Sequence, residues 1–208
     1  MRLTCCGCPS GWYAKGGTHW PQRRWAHPSI DAAQTLRQQY GFSSEQIRAV
    51  KIRTFHHGIR LAHAQPATTE QAQYSLLFSV AVALRHGVVD FSALRDEALR
   101  DPEVLRLSHL IRTEEHDAFT SRFPSRRIAD VSIELHDGRR FDSGPTQALG
   151  DPERPLGADR VRQKFRRFAE GVCEPGRTQE LEQRVNELGA NDAGIAPFLD
   201  LILGEIRI

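Results

Sequence analysis

Apolar and polar residues first settle into a regular period after His27. Ile30, Ala33 and Leu36 recur at three-residue steps on one helical face. Pro28 suits the first turn of that helix and Gly41 its left-handed stop. Val50 and Ile52 alternate with Lys51 and Arg53, which predicts a strand near 49–55 with one buried face. The stretch from His56 to Pro66 shows no period and reads as a loop. A longer helix follows, with Thr68 or Thr69 as N-cap and Glu70 in its first turn, running to about Arg85 and ending at Gly87. From Leu76 to Leu84 only Ser79 is polar, so this helix is apolar on more than one face and belongs in the interior.

Short helices are predicted over 91–99 and 102–110, the second capped by Asp101 with Pro102 at its first position. Val131, Ile133 and Leu135 alternate with Ser132, Glu134 and His136, and an Asp137-Gly138 turn leads into a second strand through Phe141. Asp151 to Pro155 reads as a linker, and three amphipathic helices follow, over 158–171, 177–188 and 193–204. The fold class expected is α+β: a small domain of antiparallel strands with a buried helix, then a helical C-terminal tail. Its boundaries are an irregular leader at 1–19, the α+β domain at 20–150 and the tail at 151–208.

Composition narrows the function. The chain has 208 residues, 39% hydrophobic and 26% charged, which is ordinary for a globular protein. Its longest apolar run, Ser75–Leu84, is about half the roughly 18 residues a membrane span needs. Met1–Gly17 has no apolar signal region, so a cytoplasmic location without membrane contact is expected. A net charge of +2, from 28 basic and 26 acidic residues, argues against a nucleic-acid partner. The arginines nevertheless pair up, at Arg23–Arg24, Arg126–Arg127, Arg139–Arg140 and Arg166–Arg167. Most of these pairs read as solvated surface, and one or two as contacts for small anions. Cys5, Cys6 and Cys8 are too crowded for a zinc site, and Cys173 is distant. His56, His57 and His63 have no acidic residue or cysteine in register nearby, so they read as a flexible surface loop and no metal site is expected. No phosphate-binding glycine loop, serine nucleophile elbow or His-Glu-x-x-His helix occurs.

Seven segments in order resemble the C-terminal part of the MmgE/PrpD family, which includes 2-methylcitrate dehydratase and cis-aconitate decarboxylase. They are Arg24-Trp-Ala-His27-Pro-Ser-Ile-Asp31-Ala, Ile47-Arg-Ala-Val-Lys-Ile-Arg-Thr54, Ala72 to Leu84, Asp101-Pro-Glu-Val-Leu105, Leu135-His-Asp-Gly-Arg139, Gly150-Asp-Pro-Glu-Arg-Pro155 and Lys164-Phe-Arg166. The likeness runs from Trp20 to the end. It implies that residues 20–150 form the family's lid and that 158–208 return to pack on a large helical domain. That domain is expected to be missing here, leaving the chain incomplete as a catalyst.

The resemblance also implies lyase or isomerase chemistry on di- or tricarboxylates, by dehydration, decarboxylation or epimerisation, with no metal or other cofactor. Such reactions need a base for the proton alpha to a carboxylate and fixed cations for the charge. His27 is the candidate catalytic residue and Arg24 the candidate carboxylate clamp. Where the family usually places a lysine nine residues before the histidine, this chain has Thr18, and Lys15 is the neighbouring substitute. Where the buried helix often carries a tyrosine, this chain has Phe78; Tyr74, one turn earlier, reads as packing. Expected partners are a small carboxylate substrate and either a helical-domain partner or a second copy. The tail is expected to expose an apolar patch at Val161, Phe165, Leu181, Val185 and Leu199. The alternatives to an enzyme half are a truncated non-catalytic remnant and a module that binds a carboxylate or a protein.

Overall fold

The protein is described by a computed structural model covering residues 24–90, 93, 97–151, 154–169, 173, 174, 176–188 and 195–203. These fall into two units, divided between Pro155 and Leu156. The first holds α1 (His27–Tyr40), β1 (Ile47–Thr54), α2 (His56–Ile59), α3 (Thr69–Tyr74), α4 (Leu76–His86), α5 (Pro102–Leu110), β2 (Ile111–Glu115), α6 (Asp117–Thr120), β3 (Ile128–Leu135), β4 (Arg140–Asp142) and β5 (Thr146–Gln147). The strands form one mixed sheet in the order β2-β1-β3-β4, with β5 also pairing β3. The architecture is α+β.

The periodicities explain the main elements. Pro28 opens α1, whose Ile30, Ala33 and Leu36 are buried. Gly41 ends it at φ 65° and gives its N–H to Arg37 O at 3.0 Å. In β1 the inward residues Val50, Ile52 and Thr54 are buried while Lys51 and Arg53 face out. Asp101 caps α5, its Oδ1 accepting from the N–H groups of Glu103 (2.8 Å) and Val104 (3.2 Å). The tight loop after Leu135 returns the chain antiparallel into β4.

Three expectations are corrected, and a fourth falls largely outside the described residues. The single helix predicted from 68 to 85 is two helices, broken at Ser75, where the backbone becomes extended (φ −81°, ψ 115°). Ser75 Oγ accepts from Phe78 N at 3.0 Å and donates to His63 O, and Leu76 N donates to Leu61 O at 2.8 Å. The passing 61–63 segment thus takes hydrogen bonds that a continuous helix would use internally. The parallel strand β2 was not foreseen: Ile111 alone of its five residues is buried, so it shows no alternation. It pairs with β1 in the register Val50↔Ile111. The loop assigned to His56–Pro66 begins with the helical turn α2, and His56 Nδ1 lies 2.9 Å from Glu115 Oε2, an acidic partner 59 residues away. Of the helix predicted over 91–99, a 3-10 turn at Ala98–Arg100 is observed, while residues 91, 92 and 94–96 lie outside the described ones.

The core lies between α1, α4, α5 and the inner sides of β1 and β3, and includes Ile30, Leu36, Ile52, Phe78, Leu84, Leu107 and Ile133. The opposite side of the sheet is polar. There Arg53 Nε and Nη2 donate to the two oxygens of the buried Asp130 at 2.8 and 2.7 Å, and Glu134 accepts from both Arg48 and Arg140 at 2.9 Å.

The second unit holds α7 (Ala158–Ala169), α8 (Arg177–Leu188) and α9 (Ala196–Leu203). The outer residues of the predicted tail helices, 170, 171, 193, 194 and 204, lie outside the described ones. Arg166 makes a bidentate pair with Glu182 at 2.8 and 3.0 Å, joining α7 to α8. Arg177 Nη2 donates to Leu201 O at 2.6 Å near the end of α9. Val161 (42%), Phe165 (38%), Val185 (53%) and Leu199 (41%) are exposed, whereas Leu181 is half-buried. No described helix is long and apolar enough to cross a membrane.

Candidate functional site

The turn that opens α1 holds the two leading candidates. Pro28 sets the helix start, and His27 N donates back to Arg24 O at 3.3 Å, so Arg24, Trp25, Ala26 and His27 form one hydrogen-bonded turn. Trp25 anchors it from one side. Its ring lies edge-on to Phe55 (6.4 Å), Phe123 (5.8 Å) and His57 (5.8 Å), and His57 stacks on Phe123 at 4.8 Å.

Arg24 anchors the turn from the other side. Its Nη2 lies 2.6 Å from Asp151 Oδ1, and Arg127 Nη1 lies 3.7 Å from Asp151 Oδ2. The Asp151 side chain is only 5% exposed, against 22% for Arg24 and 19% for Arg127. Arg24 Nε is buried with no hydrogen-bond partner. Asp151 is held in turn by its own backbone. Asp31 Oδ2 accepts from Leu149 N at 3.0 Å, tying the approaching chain to α1. Gly150, at φ 91°, adopts a conformation that side chains other than hydrogen disfavour, and its N–H reaches Arg154 O at 2.8 Å. Arg154 N then donates to Asp151 O at 2.8 Å.

His27 itself is 1% exposed, enclosed at the head of α1. Phe78 is fully buried in the core that also contains Ala26 and Ile30, and its ring offers no donor there. Tyr74 is 48% exposed. Lys15 and Thr18 lie outside the described residues. The structure therefore brings Arg24 and His27 together in one turn.

Sequence reasoning missed Arg127 and Asp151. Asp151 reads in sequence as part of a linker and of a family-like segment, and Arg127 as a member of one of four arginine pairs, one or two of which read as small-anion contacts. The ion pair spans 127 positions from Arg24, so no local spacing announces it. The pairing of arginines was the available signal, and it pointed to four places at once.

A second constellation sits at the β2 edge of the sheet. Glu115 accepts from Thr120 Oγ1 at 2.9 Å with one oxygen and contacts His56 Nδ1 at 2.9 Å with the other. The His56 and Thr120 hydrogen bonds hold its carboxyl below the usual carboxylate range. Among the described residues, no group of three or more His, Cys, Asp or Glu is arranged to hold a metal ion.

Chemically, the Arg24–Asp151–Arg127 cluster sets two guanidinium groups against one buried carboxylate, Arg24 through a single hydrogen bond and Arg127 at ion-pair distance. Comparison with known families adds one finding: the family model described as MmgE/PrpD C-terminal domain matches residues 20–188.

Proposed function

Since this chain belongs to the MmgE/PrpD family, matching its C-terminal domain, we propose that it serves a metal-independent lyase or isomerase acting on di- or tricarboxylates such as 2-methylcitrate or cis-aconitate. The reactions in scope are dehydration, decarboxylation and epimerisation next to a carboxylate. In this reading the chain works in the cytoplasm with a helical-domain half, which supplies further acid–base groups. Arg24 binds a substrate carboxylate, Lys15 contributes a second cation, and His27 transfers a proton or contacts the bound anion.

The observation that carries the reading is the placement of Arg24, one of whose guanidinium nitrogens is engaged by Asp151 while the side chain keeps 22% exposure. A partly exposed arginine already held by one carboxylate can take a second one through its free terminal N–H groups, its Nε being buried. Enclosure of His27 at 1% exposure means that its direct participation requires the 24–27 turn to open. That same enclosure favours the second reading, a carboxylate-binding module without turnover.

Calorimetric titration tests the proposal. The chain, mixed with a helical-domain half of the same family, is titrated with citrate, cis-aconitate and 2-methylcitrate. At least one acid is expected to bind, and Arg24→Gln is expected to abolish that binding. Absence of binding, or binding unchanged by Arg24→Gln in a folded protein, overturns the proposal.

A further inference from the structure

We infer that Asp151 is a positioning residue, holding the Arg24 guanidinium in the orientation in which it meets a carboxylate ligand. The inference rests on the reading of Arg24 as a carboxylate clamp, and it adds the residue that makes the clamp rigid. Three features single out Asp151. It is the one carboxylate paired with Arg24 among the described residues, at 2.6 Å. Its side chain is 5% exposed, so it is itself the least free to reach a solvent-borne ligand and acts through the arginines. It is also fixed independently of them, by the Leu149 N to Asp31 Oδ2 bond and by the turn that joins Gly150 and Asp151 to Arg154.

The physical reason is conformational. An arginine side chain has many rotamers, and ordering it when the ligand arrives subtracts from affinity. Pairing one edge of the guanidinium with a buried, backbone-fixed carboxylate orders the side chain when the protein folds. The Arg24 Nε stays buried, so a ligand is left the terminal Nη groups, on a side chain that keeps 22% exposure. Arg127, 3.7 Å from the other Asp151 oxygen, limits the second direction in which the carboxylate can swing. The segment read from sequence as a linker is thus a support wall of the site. Asp31, in the second turn of α1, holds this segment at Leu149, and Asp151 within it holds Arg24 just ahead of α1.

Two measurements test this. In the chain alone, NMR of the Arg24 side chain is expected to give a resolved, exchange-protected guanidinium signal. An averaged signal identical to that of exposed arginines overturns the inference, and this measurement needs no variant. In the chain mixed with the helical half, Asp151→Asn is expected to weaken citrate binding about 10-fold or more, the scale of one hydrogen bond to a charged group. Asp151→Glu is expected to restore part of that loss. Titration is done at a temperature where both variants are folded. A purely structural Asp151 lowers the melting temperature and leaves citrate affinity unchanged, which overturns the inference. The outcomes also separate the two levels of argument. If Arg24→Gln abolishes citrate binding while Asp151→Asn leaves it intact, the clamp stands and the positioning role falls. If Arg24→Gln has no effect, the clamp reading falls and takes the positioning role with it.

Discussion

Ser75 Oγ accepts a hydrogen bond from Phe78 N at 3.0 Å, which starts α4 and places the Phe78 ring in the fully buried core. Phe78 is therefore enclosed in an apolar setting within this unit. Replacing Phe78 by Tyr adds a hydroxyl there, at a cost of about 1–3 kcal/mol if it finds no partner. Phe78→Ala removes the ring and costs about 3–5 kcal/mol. Urea denaturation of the two variants checks the order. A Phe78→Tyr protein as stable as the parent shows instead that the pocket has a partner for the hydroxyl.

On the outer side of the sheet, Arg53 grips Asp130 with both donors, and the Asp130 side chain is 6% exposed against 44% for Arg53. The acid is the member that loses water on folding. Asp130→Ala leaves the strand pairing intact but removes two charge-assisted hydrogen bonds. With the exposed arginine discounted for solvent, the expected loss is about 1–2 kcal/mol. The check is a lower urea midpoint at unchanged slope; no shift in midpoint contradicts it.

Acid weakens this fold from one direction. The Glu45 carboxyl, bonded by its own backbone N–H and by Ser43, is lowered from 4.5 to about 2. Glu103 is lowered by its hydrogen bonds from Arg106, Glu114 by Lys51, Asp137 by the Arg139 backbone N–H and Glu182 by Arg166. A carboxyl with a depressed folded pKa contributes stability above its unfolded value and loses it as the pH falls through the folded one. Stability is therefore expected to be level near neutrality and to fall below about pH 4.5, with the Glu45 share persisting toward pH 2. Urea midpoints measured from pH 7 to 3 check the sign, and a rise on acidification contradicts it.

The second unit presents apolar side chains to solvent, with Val185 at 53% and Phe165 at 38% exposure. The full chain is expected to bind a hydrophobic dye and to self-associate with rising concentration. Val185→Glu with Phe165→Glu is expected to reduce both. Sedimentation showing a monomer at all concentrations, with no dye binding, contradicts the expectation.

Much of the first unit was legible because its elements satisfy one-dimensional rules. The three-residue spacing from Ile30 to Leu36, the alternation from Val131 to Leu135, and the Asp101-Pro102 start of α5 all appear where the pattern puts them. What was hidden depends on contacts between distant segments. Ser75 breaks a helix because residues 61–63 pass beside it, and β2 is a strand because β1 offers it an edge. The site divided in the same way. Arg24 and His27 were candidates by resemblance, whereas the pairing of Arg24 with Asp151 joins residues 127 positions apart, which no local spacing announces.

The most direct test of the central claim is turnover. The chain is incubated with 2-methylcitrate, citrate and cis-aconitate, alone and with a helical-domain half of the family, and unsaturated product and released carbon dioxide are followed. The account predicts product from at least one acid when both parts are present, and none from the chain alone. Product from the chain alone, or no product from the complete mixture, contradicts it.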